Sequence, residues 1–128
     1  MSHFSTIQTR LRDKEALAAA LTRLNYTYQT GPLPVRGYRG QTQMADLVIP
    51  QANGYDIGFA WDGQQYNLVA DLQYWQQPLS VEGFLRQLHQ QYAYEVVLAQ
   101  TQRQGFQVME TQRLSDGSVR LVVQRWAA

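Results

Sequence analysis

The sequence predicts an α+β fold: a mostly antiparallel sheet with two helices packed on one face, in the order β-α-β-β-β-β-α-β-β. Three observations lead there. Asp62-Gly63 and Asp116-Gly117 each sit between runs rich in β-favouring residues, a strong hairpin signal. Two other segments space their apolar residues three and four apart, and each is preceded by a residue able to cap a helix. The 128 residues suffice for one core and are too few for two, so residues 1–128 are expected to form one domain.

Taken in order, His3 to Thr9 reads as a first strand. Asp13 is the expected N-cap of a first helix, whose apolar positions Leu17, Ala20, Leu21 and Leu24 end at Asn25. Tyr26 to Thr30 reads as strand, and Gly31-Pro-Leu-Pro34 is expected to break regular structure before Val35-Arg-Gly-Tyr-Arg-Gly-Gln-Thr42. Met44 to Ile49 is a strand closed by Pro50. The alternation of Tyr55, Ile57, Phe59 and Trp61 predicts another, joined through Asp62-Gly63 to Gln64–Leu72. Ser80 is the expected cap of a long second helix reaching about Gln104, with Leu85, Leu88, Tyr92, Val96 and Ala99 along its inner face and Gly105 as its stop. Phe106 to Leu114 and Ser118 to Trp126 then form the last hairpin. Each half of the chain holds one helix among hairpins, with no sequence repeat between the halves.

Composition removes several function classes. A formal net charge of +1 gives no general attraction for polyanions, so a nucleic-acid surface is disfavoured and any basic site must be local. Lys14 is the single lysine; the rest of the positive charge is arginine, whose planar fork suits bidentate contacts. The absence of cysteine excludes disulfides, thiolate nucleophiles and cysteine-held metal or iron–sulfur centres. Neither a signal-peptide run at the N-terminus nor a stretch of about 20 apolar residues is present, so the protein is expected to be soluble, without a membrane span, and to stay in the compartment where it is made.

Arg36-Gly37-Tyr38-Arg39-Gly40 is the most unusual segment. Two guanidinium groups and an aromatic ring lie among glycines that let backbone N–H groups approach an anion. It lacks the Gly-Lys-Ser/Thr ending of a phosphate loop and the third glycine of a dinucleotide fingerprint. It reads either as a partner or ligand site, or as a turn whose arginines pair with acidic side chains. Tyr74 and Trp75, in a glutamine-flanked loop before Pro78, are the second pair of candidate partner-binding residues, equally able to close the core. Trp61 and Trp126 are read mainly as packing residues.

No catalytic residue is expected. His89 and Tyr92, three apart on the second helix, share a face that reads as an amphipathic edge of the core, whereas Tyr94 points elsewhere. His3 and His89 have no metal-ligand spacing to each other or to Asp46, Asp56 and Asp71, so no metal is expected. No serine lies in a nucleophile-elbow sequence. No cofactor is implied.

Five ordered blocks give the chain a family likeness: Met1-Ser-His-Phe-Ser-Thr-Ile7, Val35-Arg-Gly-Tyr-Arg-Gly-Gln-Thr42, Asp56-Ile-Gly-Phe59, Tyr92-Ala-Tyr94 and Arg120-Leu-Val-Val123. Together they resemble the "hypothetical chloroplast reading frame thirty-five" family of cyanobacteria and algal plastids, almost from end to end. The resemblance implies a setting, cyanobacterial cytoplasm or plastid stroma, with small ferredoxin-like proteins encoded nearby. It carries no catalytic residue or ligand to transfer. The expectation is a non-catalytic accessory or assembly protein that docks on a protein partner, such as a ferredoxin-like protein of the photosynthetic or electron-transfer machinery, through Arg36, Tyr38, Arg39 and the loop aromatics. The alternative is a module binding a phosphate-bearing ligand or RNA at Arg36–Gly40. The polar face of the second helix leaves a homodimer open as well.

Overall fold

The computed structural model describes residues 3–125. Its elements are β1 (Ser5–Gln8), α1 (Lys14–Arg23), β2 (Gln29–Arg36), β3 (Thr42–Ile49), β4 (Ile57–Trp61), β5 (Tyr66–Ala70), α2 (Val81–Arg103), β6 (Phe106–Arg113) and β7 (Val119–Arg125). The order is the one expected. β1 to β5 form one sheet in the spatial order β1-β5-β4-β3-β2, antiparallel at every pairing. β6 and β7 form a separate two-stranded sheet, and β6 lies against α2. Trp126 lies outside the described residues.

Local chemistry sets the helix ends. Asp13 accepts a hydrogen bond from the Ala16 N–H at 3.1 Å, and Ser80 accepts one from the Gly83 N–H at 3.1 Å, each satisfying a donor that the helix itself leaves open. Asn25, with φ of 65°, takes the left-handed conformation that ends α1. Tyr92 ties the helices together: its hydroxyl oxygen accepts from the N–H groups of Arg12 and Asp13 at 3.1 and 2.9 Å, just before α1 begins.

Both helices cover one face of the sheet. Leu17, Leu21, Phe84 and Leu88 are fully buried against Leu47, Ile57, Phe59 and Leu68. At about 2 kcal/mol for each buried large apolar side chain, this is the dominant favourable contribution to folding. A smaller cluster of Val35, Ala45 and Val48, with Phe4 and Leu33 against it, lies apart from that core.

Two expectations are corrected. Gly31-Pro-Leu-Pro34 does not interrupt the strand: β2 runs through it, with a register shift between Thr30 and Leu33 and a cis Gly31–Pro32 bond. The segment tolerates proline because β2 is an edge strand, where a missing N–H need not face a partner, and the bulge absorbs the irregularity. The same prolines blunt an edge that could otherwise template another strand. The inner stripe of α2 is Phe84, Leu88, Gln91 and Glu95; Leu85, Tyr92, Val96 and Ala99 are only partly buried. The two polar members are tolerated because other elements satisfy them: Gln91 donates to Glu95 at 3.0 Å, Arg113 donates to the Gln91 carbonyl at 2.7 Å, and Arg23 lies 3.4 Å from the Glu95 carboxylate.

Candidate functional site

β2 and β3 are joined by a tight turn over 37–41, closed by two backbone bonds, Gly37 N–H to Gln41 C=O at 2.9 Å and Gln41 N–H to Tyr38 C=O at 3.0 Å. Arg39 adopts φ 53° and ψ 40°, the left-handed region that costs a residue with a Cβ, so the turn is held in a strained but defined form. In this turn the Arg39 guanidinium lies 5.2 Å from the centre of the Tyr38 ring, and the arginine is exposed.

Arg36 is placed differently. Its Nε and Nη2 donate to the two carboxylate oxygens of Asp56 at 2.8 and 2.9 Å, and its backbone N–H donates to Asp56 at 3.0 Å. Asp56 is 3% exposed and also accepts from the Gln51 N–H at 3.3 Å, while its own N–H donates to the Arg36 carbonyl at 3.0 Å. Burial by itself would raise the Asp56 pKa, but the Arg36 hydrogen bonds, with that of the Gln51 amide, outweigh it and hold the carboxyl below its ordinary range. The Arg36 pKa is raised by the same bond. The fork therefore anchors the turn to the residues before β4, although more than half of the arginine side chain stays exposed. Beside the pair, a cavity of about 370 Å3 is lined by Leu33, Pro34, Val48 and Pro50.

The second candidate pair divides. Tyr74 stacks on Tyr55 with ring centres 4.0 Å apart and planes 17° apart. Partial burial and the neighbouring Tyr74 phenol, with the charges of Asp71 and Tyr38, push the Tyr55 hydroxyl upward, so it stays neutral at physiological pH. The two predicted segments therefore meet through neighbouring residues that belonged to neither: Asp56 grips Arg36, and the Tyr55 ring stacks on Tyr74. Trp75 turns away. Its ring meets Phe84 edge-on at 5.3 Å, its indole N–H donates to the Leu79 carbonyl at 2.8 Å, and it packs on the main core.

Gln51 fixes this arrangement from within. Its side-chain N–H groups donate to the carbonyls of Tyr55 and Tyr74, and its carbonyl oxygen accepts from the Gln76 N–H at 3.0 Å and the Gln77 amide at 2.9 Å. Asn53 also donates to the Tyr74 carbonyl at 2.9 Å. The loop before α2 is thereby bound to the turn before β4.

Sequence reasoning missed Tyr55 as part of this surface and the buried Asp56 and Gln51 as its supports. Tyr55 and Asp56 precede β4 because Asn53-Gly54 makes a turn in which the Tyr55 N–H donates to the Asn53 side chain at 3.0 Å. The available signal was that Asn-Gly pair, a turn former inside the supposed approach to a strand. Trp61, read as packing, leans on Tyr66 at 4.9 Å and remains 45% exposed. Among the described residues no helix is long and apolar enough to cross a membrane.

Comparison with known proteins bears out the family likeness. The family model described as "Protein of unknown function (DUF1257)" matches residues 20–122. An uncharacterised protein, ycf35, of Cyanophora paradoxa is 49% identical over 98% of both chains. The ycf35 proteins of Guillardia theta and Pyropia yezoensis are 46% and 43% identical, each again over 98% of both chains. No solved structure matches. Likeness of this extent, carried by nearly the whole chain, means that the protein belongs to the DUF1257 family.

Proposed function

We propose that this protein is a non-catalytic accessory protein that docks on an acidic protein partner through Tyr38, Arg39, Tyr55 and Tyr74, with Arg36 as the structural hinge of that surface. The observation that carries the reading is convergence: the Arg36–Asp56 fork and the Tyr55–Tyr74 stack bring two sequence-distant segments onto one surface. Aromatic and arginine side chains held by packing are the residue types that concentrate binding energy at protein interfaces. Arg39 supplies an exposed cation suited to a carboxylate, and a small acidic electron-transfer protein of the ferredoxin-like kind fits that charge. The setting that the family suggests, plastid stroma or cyanobacterial cytoplasm, contains such proteins. Engagement of Arg36 by Asp56 weighs against an Arg36–Gly40 phosphate cradle, because one of its two cations is already matched by a carboxylate.

Affinity capture from an extract of the source cells, with and without nuclease, tests the reading. Wild type should retain a nuclease-resistant protein that folded Arg39→Glu and Tyr74→Ala variants lose. Recovery that vanishes with nuclease, or falls steeply with added salt in the manner of phosphate contacts, would instead favour the nucleic-acid reading.

A further inference from the structure

A groove that shares no lining residue with the tyrosine surface runs between α2 and the last hairpin. His89, Ala93 and Val97 are spaced four apart and form one stripe along α2, while Val119 and Leu121 are two apart on one face of β7. Between them lies a cavity of about 360 Å3. That volume is within the range of small-molecule sites, about 300–1,000 Å3.

The hairpin is fixed against the helix by contacts of residues that do not line the groove. Arg113 on β6 donates to Gln91 at 2.7 Å, and Gln91 donates to Glu95, which meets Arg23 of α1. Tyr94, one wall of the groove, packs with both Arg23 and Arg113, whose guanidinium carbons are 5.8 and 5.9 Å from its ring centre. The walls are thus set before any ligand arrives, which lowers the ordering cost of binding.

Among the described residues no lysine, arginine, aspartate or glutamate lines the cavity, whose polar lining is His89, Gln90, Tyr94 and Ser118. A charged ligand would lose its water there without a counterion in direct contact. His89 is half-buried, and burial together with the Arg10 charge lowers its pKa, so it presents a neutral imidazole with one donor and one acceptor nitrogen.

We propose that this groove binds a compact, uncharged, largely apolar molecule carrying a hydrogen-bonding group, with its apolar body against Ala93, Val97, Val119 and Leu121 and its polar end at His89. Ala93 and Val97 are both exposed, so enlarging or charging them fills the groove without disturbing the core.

The probe is N-phenyl-1-naphthylamine, a neutral fluorophore with one N–H, titrated into the full chain. Wild type should give a saturable one-site fluorescence increase. Ala93→Phe and Val97→Glu should each weaken binding by about tenfold or more at unchanged urea midpoints, whereas Arg39→Glu should bind as wild type. Absence of saturable binding to wild type, or binding that neither groove variant weakens, would overturn the proposal. So would a wild-type dimer in sedimentation that Ala93→Phe dissociates, which would assign the groove to a second copy of the chain.

Discussion

Asp56 grips Arg36 at both ends of the guanidinium fork, Nε at 2.8 Å and Nη2 at 2.9 Å, and takes the Arg36 backbone N–H as well. A buried carboxylate of the turn before β4 thereby holds the last residue of β2, and the position of the next turn, with Tyr38 and Arg39, follows from that contact. The pair is structural: it fixes the strand end from which the turn of Tyr38 and Arg39 leaves.

Asp56→Asn keeps the shape and one acceptor oxygen but replaces the other with a donor, setting two N–H groups against each other at the fork. The loss expected from one broken charge-assisted bond at a buried site is about 1–3 kcal/mol. Urea unfolding followed by tryptophan fluorescence measures it, and a variant as stable as wild type would show that the fork contributes no stability.

Acid should weaken the fold through the same residue. Because Asp56 titrates lower in the folded chain than in the unfolded one, its stabilisation is complete above the unfolded value, about 3.9, and is lost as pH falls through the lower folded value. Urea midpoints between pH 7 and pH 2 should therefore drop in wild type below about pH 4. In Asp56→Asn that part of the decline should be shallower; parallel curves would remove Asp56 from the acid limb.

Two glycines should differ in what an added methyl does. At Gly58 a Cβ would meet Val35 Cγ2 at 2.3 Å and Ala45 Cβ at 3.0 Å, both fixed in the smaller cluster. At Gly37 it would meet the far end of the half-buried Phe4 ring at 2.5 Å, which can move. Gly58→Ala should cost about 1–3 kcal/mol by overpacking and leave the Tyr38–Tyr55–Tyr74 surface in place. Gly37→Ala should cost less in stability yet displace the turn that carries Tyr38 and Arg39. Thermal melts and partner binding on both variants separate the two effects.

Gln51→Ala removes the partner of several loop groups at once. The Tyr55 and Tyr74 carbonyls and the Gln76 N–H lose their bonds to a side chain that is 6% exposed. A loss of about 1–3 kcal/mol is expected, with faster amide exchange confined to residues 72–79 and the turn before β4. Uniformly faster exchange would mean that the glutamine supports the whole fold and not this loop.

Features written in local chemistry were legible in the sequence. Asp13 and Ser80 cap helices because each has the right side chain three residues ahead of a free N–H, and Asp62-Gly63 and Asp116-Gly117 turn the chain because each pair suits the needed backbone angles. Features set by distant partners were not. Gly31–Pro34 pairs as strand because β3 is available beside it, and Gln91 and Glu95 are buried because Arg113 and Arg23 reach them from other elements. The candidate surface shows the same division. Tyr38, Arg39 and Tyr74 stood out by type and loop context, but Tyr55, which joins them, was hidden in a strand-like alternation, and Trp75 went to Phe84.

A photo-crosslinking amino acid placed in living cells at Tyr38, at Tyr74 or, as control, at the exposed Met44 tests the docking claim most directly. One crosslinked protein species shared by Tyr38 and Tyr74 is expected, absent at Met44 and lost when Arg39→Glu is added. Crosslinks from Tyr38 and Tyr74 to different species, to nucleic acid, or to the same species as Met44 would contradict it.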